Sequence, residues 1–135
     1  MNNKELAYFL LKFTFGLNFF MHGVVRVFGD YSGFAHKITK QFSESILPEA
    51  FLVGYGYALP MIELILGALL ILGIKTRFSV ISSFIVMNSL IFGSSLLQKW
   101  SLVGGQMVYV IFTFFLLFFI EFDTRNSWKK LFKKN

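Results

Sequence analysis

Residues 51–73 read FLVGYGYALPMIELILGALLILG, a continuous apolar run whose single charge is Glu63. About 20 apolar residues cross a ~30 Å hydrocarbon core as a helix, so this stretch is long enough to span a bilayer. Pro60 lies in its outer half, where a kink is expected. Three further stretches pass the same test: 6–28, 78–97 and 102–122, the last containing the charge-free MVYVIFTFFLLFFI of residues 107–120. The third is diluted by Ser82, Ser83, Asn88, Ser89, Ser94 and Ser95. The first is too long for the apolar core of a signal peptide, holds Lys12, Asn18, His22 and Arg26, and precedes no small-x-small cleavage site, so it reads as a retained span. The expected fold is all-α: an integral membrane four-helix bundle.

Composition agrees with that expectation. Of 135 residues 56% are hydrophobic and 15% charged, against about a quarter charged in soluble domains. Nineteen phenylalanines fit lipid-facing surface better than an aromatic binding site. The absence of cysteine excludes a disulfide, a thiolate metal site and thiol exchange by this chain. No His or acid cluster has metal-ligand spacing, so no metal is expected, and one intramembrane histidine, His22, cannot supply bis-histidine haem ligation. The net charge of +6 gathers at helix ends and in the tail, a topology signal rather than a nucleic-acid footprint. With the N-terminus inside, the inner flanks hold Lys4, Lys75, Arg77, Arg125, Lys129, Lys130, Lys133 and Lys134, whereas the outer loops hold Lys37, Lys40 and Lys99, with Arg26 near the end of the first span. The asymmetry predicts that both termini are cytoplasmic.

Two segments are expected outside the hydrocarbon. In the first outer loop Phe34, Ile38, Phe42 and Ile46 recur every fourth residue among polar neighbours, predicting an amphipathic helix over 34–46, ended by Pro48, that lies on the membrane surface or caps the bundle. The basic tail of 123–135 sets Trp128, Leu131 and Phe132 against lysines, the pattern of an interfacial anchor. Val53-Gly54-Tyr55-Gly56 matches the core of a potassium-channel filter but opens a span, follows no pore helix and lacks the preceding threonine. There is no phosphate-binding glycine loop and no nucleophile–base pair, hence no self-contained catalytic motif.

The polar residues inside the spans carry the functional reading. At ~100° per residue Lys12, Thr14, Asn18, His22 and Arg26 share one arc of roughly 160°, which should face the other helices. Lys12 and Arg26 sit near enough to the ends to snorkel; Asn18 and His22 do not. Glu63, mid-span, needs a cation or hydrogen-bond donors. Counted from the inner ends of the two antiparallel spans, it falls between the levels of Lys12 and Asn18, with His22 about 9 Å higher. Lys12 is then the expected ion-pair partner and Asn18 the hydrogen-bond donor. The set is either a polar clamp between helices or a ligand-binding or proton-coupled site.

These residues resemble the DoxX family of small four-helix bacterial membrane proteins. Lys12-x3-Gly16 and His22-Gly23-Val24-Val25-Arg26 are similar to its basic-x3-Gly…His-Gly-x2-basic pattern, with Lys12 where arginine is usual and Arg26 where lysine is usual. Glu63-x3-Gly67 and Gly73-Ile74-Lys75-Thr76-Arg77 are similar to its Glu-x3-Gly and Gly-x2-Thr-Arg elements, so that the likeness covers roughly 6–122. The resemblance implies a bacterial inner-membrane protein, a link to redox assemblies with soluble or membrane redox partners, and a ligand-binding constellation of Lys12, His22, Arg26, Glu63 and Arg77 around a non-covalently held quinone; the polar arc adds Asn18 to that candidate set. A structural or assembly subunit, with another membrane protein or further copies of itself as partner, is the alternative; a small proton-coupled transporter is a third reading.

Overall fold

The computed structural model describes residues 1–124, so the interfacial anchor expected over 128–135 lies outside the described residues. Five helices follow in order: α1 (Asn3–Val27), α2 (Tyr31–Gln41), α3 (Glu49–Leu72), α4 (Thr76–Leu96) and α5 (Trp100–Phe118), with a short 3-10 turn at Ile120–Phe122. α1, α3, α4 and α5 are each long and apolar enough to cross a membrane, and they form the four-helix membrane bundle that the sequence predicts.

Local chemistry sets the helix ends. Asn2 and Glu5 form a reciprocal capping box at the start of α1: the Glu5 amide donates to Asn2 Oδ1 at 2.9 Å and the Asn2 amide to Glu5 Oε2 at 3.0 Å. α3 ends at Gly73, whose φ of 69° is left-handed. The Ile74 amide reaches the Leu69 carbonyl at 2.9 Å and the Gly73 amide the Leu70 carbonyl at 3.2 Å, a Schellman turn that reverses the chain into α4 within three residues. Two of the serines that dilute α4 bond back to its own backbone. Ser83 Oγ donates to the Ser79 carbonyl at 2.7 Å and Ser89 Oγ to that of Val86 at 2.6 Å, so the span tolerates them.

The packing order is α1–α3–α4–α5, with α1 against α3 the most extensive contact and α1 against α5 the sparsest of the four seams. Glycines explain the first. A Cβ on Gly16 would sit 2.8 Å from Leu70 Cβ, one on Gly23 2.6 Å from the Leu64 backbone, and one on Gly67 would collide with the Phe20 backbone. This register seats three glycines at the crossing, and it slides Glu63 to the level of residues 23–26. The end-aligned count above is therefore corrected by about 12 Å, two turns of helix.

α2 also departs from expectation. It is capped by Asp30, whose carboxylate accepts the Gly33 amide at 3.0 Å, and it stops at Gln41 rather than continuing to 46. Ser43 and Ser45 donate their hydroxyls to the Lys40 and Phe42 carbonyls at 2.9 and 2.6 Å, replacing helical bonds. Ile46 is left 86% exposed, outside any helix. α2 packs across α3, where Gly56 meets Ala35, and reaches α4, where the Phe42 ring lies 3.2 Å from the Cβ position of Gly93. It thus closes one end of the bundle, the cap end. Val53–Gly56 is helical within α3, and Gly56 serves this contact rather than any ion filter.

Candidate functional site

Beneath α2 lies a cavity of about 370 Å³ to which all five helices contribute. From α1 come Asn18, His22 and Arg26, spaced i, i+4, i+8 on one face; from α3 come Leu59 and Glu63, one turn apart. α2 presents Phe34, Lys37, Ile38 and Gln41, the i, i+3, i+4, i+7 face of a short helix; α4 adds Met87 and Leu90, and α5 adds Leu102, Gln106 and Tyr109.

The strongest interaction is the ion pair between Arg26 Nη1 and Glu63 Oε2 at 2.8 Å. Its two members differ in environment. The Glu63 side chain is 5% exposed, whereas that of Arg26 is 29% exposed and lies over the Phe34 ring, Cζ 4.4 Å from the centroid. A guanidinium stacked on an aromatic face keeps its remaining N–H groups available around the rim. His22 Nδ1 lies 2.8 Å from the Asn18 carbonyl, which can only accept, so Nδ1 carries the proton and Nε2 is the acceptor of the neutral ring. Asn18 Nδ2 reaches Tyr109 Oη at 3.4 Å, a long bond across the gap between α1 and α5. Gln106 donates to Ser94 Oγ at 2.9 Å, while its Oε1 is buried with no hydrogen-bond partner among the described residues. A buried acceptor left open in a cavity wall suits a ligand donor or a water.

Asn18, His22, Arg26 and Glu63 therefore meet at one cavity, and two other expected members do not join them. Lys12 is 1% exposed at the opposite, base end, bonded to Asp123 Oδ1 at 2.5 Å beside the left-handed Gly73. The glycine-set register carries it away from Glu63, which corrects the expected Lys12–Glu63 pair to Arg26–Glu63. Arg77 is exposed in the first turn of α4. Residues that the sequence reading passed over complete the lining: Lys37 and Gln41 of α2, and Gln106 and Tyr109 of α5. Gln106 carried a signal, as the one amide within the fourth span; Lys37 carried none, because a lysine on an amphipathic helix is ordinary surface.

Comparison with protein families matches residues 7–96 to DoxX. The chain belongs to the DoxX family. The match takes in α1 to α4, hence Asn18, His22, Arg26 and Glu63, and stops before α5. In this DoxX chain the cavity wall of Gln106 and Tyr109 thus stands outside the matched stretch. Comparison with curated proteins and with solved structures finds no match.

Proposed function

We propose that this DoxX chain is the membrane subunit of a redox-linked complex, with the cavity under α2 receiving the head group of a quinone. The observation that carries the reading is that the Arg26–Glu63 pair borders an open cavity instead of being sealed between helices. A volume of about 370 Å³ falls in the range of small-ligand sites, roughly 300–1,000 Å³. The donor and acceptor set suits a ring with opposed oxygens. Arg26 and Tyr109 present N–H and O–H groups to a carbonyl, and the open Gln106 Oε1 accepts from a hydroxyl. A bound quinone would supply two-electron, two-proton chemistry. The chain's own residues would orient the ring, and His22 Nε2 and Glu63 would hold or pass a proton.

The orientation belongs to the same proposal. The base end carries Lys4, Lys75 and Arg77, and the cap end Lys37, Lys40 and Lys99; the basic residues of the tail tip this balance and support a cytoplasmic base, and the family match supports a bacterial inner membrane.

Protein purified from native membranes should carry extractable quinone, detected by chromatography and mass spectrometry. Arg26→Ala and Glu63→Gln should each lower its occupancy at least about tenfold, equivalent to about 1.4 kcal/mol. Quinone-free wild-type protein, with any associated redox activity unchanged in both variants, would defeat the reading. An assembly role is favoured by one separate observation. Only Thr113 and Leu116 of α5 are buried, leaving Phe112, Phe114, Phe115 and Phe118 exposed, with Phe119 just beyond its end. A stoichiometric membrane partner seen by native mass spectrometry, with no ligand in the bundle, would select that second reading.

A further inference from the structure

The α1–α5 seam, the sparsest in the bundle, is not filled. A hollow of about 420 Å³ runs along it, lined by Leu10, Leu11 and Thr14 of α1 and Phe112 of α5. It meets the polar cavity at Asn18 and Tyr109, which line both. A further hollow shares Leu11 and continues past Ala7, Phe115 and Phe119. From Asn18 to Ala7 is eleven residues of α1, about 16 Å of rise. Between Asn18 and Ala7 the groove is lined by apolar side chains apart from Thr14 and Tyr8, and Lys4 and Glu121 stand at its lower end, whereas the cavity at its upper end carries Arg26 and Lys37 against the single acid Glu63.

Such a shape, an oxygen-seeking pocket opening sideways into an apolar channel on the lipid-facing flank, matches an amphiphile rather than a water-soluble ligand. We infer that the ligand bears one apolar chain that lies in the α1–α5 groove, its oxygen-bearing head entering from the bilayer between Asn18 and Tyr109. This rests on the cavity being a head-group site, as proposed above, and adds the direction of entry and the need for a chain. The Asn18–Tyr109 hydrogen bond, long at 3.4 Å, spans the entrance, and both groups can turn to the incoming head. A quinone and a fatty acid share this chemistry, a chain ending in acceptor oxygens.

Equilibrium binding of labelled probes to the full chain in nanodiscs separates the possibilities. The probes are a benzoquinone with a decyl chain, the same ring without a chain, and decanoic acid. Thr14→Trp fills the groove at an exposed position, and Ile65→Trp places the same bulk on the lipid face of α3 as a control. The expected result is that Thr14→Trp weakens a chain-bearing probe by about tenfold or more, while Ile65→Trp does not. Whichever chain-bearing probe responds identifies the source. If the chain-bearing probes bind all three proteins equally, the groove is overturned and the head-group reading stands; if no probe binds the wild type, both fall. Wild-type protein gives an independent check. A photoreactive group at the end of the decyl chain should label α1 around Leu10–Thr14 and α5 around Phe112; labelling spread over α3 and α4 would overturn the inference.

Discussion

At the scale of single residues the two ion pairs make opposite partners critical. Removing the more exposed member strands the more buried one, and an uncompensated buried charge is the expensive outcome. Glu63 is the buried member of its pair, so Arg26→Ala should cost roughly 2–4 kcal/mol of stability, whereas Glu63→Gln should cost about 1 kcal/mol. The Arg26→Ala/Glu63→Gln double variant should regain part of the loss. At the base end the order reverses. Lys12 is the more buried, 2% against 18% for its partner, so Asp123→Ala should be worse than Lys12→Met. Thermal unfolding in mild detergent, compared across the five variants, checks both orders; equal losses within each pair would refute the argument. Glu63 was legible in the sequence because a carboxylate amid apolar residues must find a donor. Its partner was not, because Lys12 and Arg26 lie on the same arc and only packing chooses between them.

At the scale of elements that choice is made by glycine. Gly23→Ala places a methyl against the Leu64 backbone, which cannot yield as a side chain can, and should cost roughly 1–3 kcal/mol while loosening the Arg26–Glu63 pair. Gly54 is the comparison: it sits in α3 with nothing within 4 Å of its Cβ position, so Gly54→Ala should gain about 0.5–1 kcal/mol from helix propensity. If both substitutions have the same sign in unfolding experiments, close approach does not set the register. The same element scale shows where sequence reading stopped short. Span lengths came from hydropathy, but matching the ends of two apolar stretches says nothing about which glycines nest. The end of α2 was missed because its apolar repeat continues through Phe42 and Ile46, while Ser43 and Ser45 intercept the carbonyls that would have sustained the helix.

For the whole molecule the four-span bundle was readable because lipid allows so few solutions to the backbone hydrogen-bond problem. The cavity was not readable, since its walls come from five helices scattered between residues 18 and 109. The orientation proposed here has a clean test, because the chain contains no cysteine. Asn3→Cys and Glu44→Cys, introduced singly, should differ in labelling by a membrane-impermeant maleimide added to intact cells. Glu44→Cys should react and Asn3→Cys only after lysis; the converse pattern would invert the topology.

The fastening of α5 to α1 bears on how the protein is made. Tyr8 Oη donates to the Leu116 carbonyl at 2.6 Å and Lys12 reaches Asp123, so contacts from the first helix wait for almost the last residues described. Translation delivers α1, α3 and α4 first, and the glycine-nested crossing of α1 on α3 needs nothing from α5. A nascent chain halted before Trp100 should already hold a protease-resistant unit of three spans, its side door standing open until α5 swings in; an unprotected chain at that length would make α5 part of the folding nucleus instead.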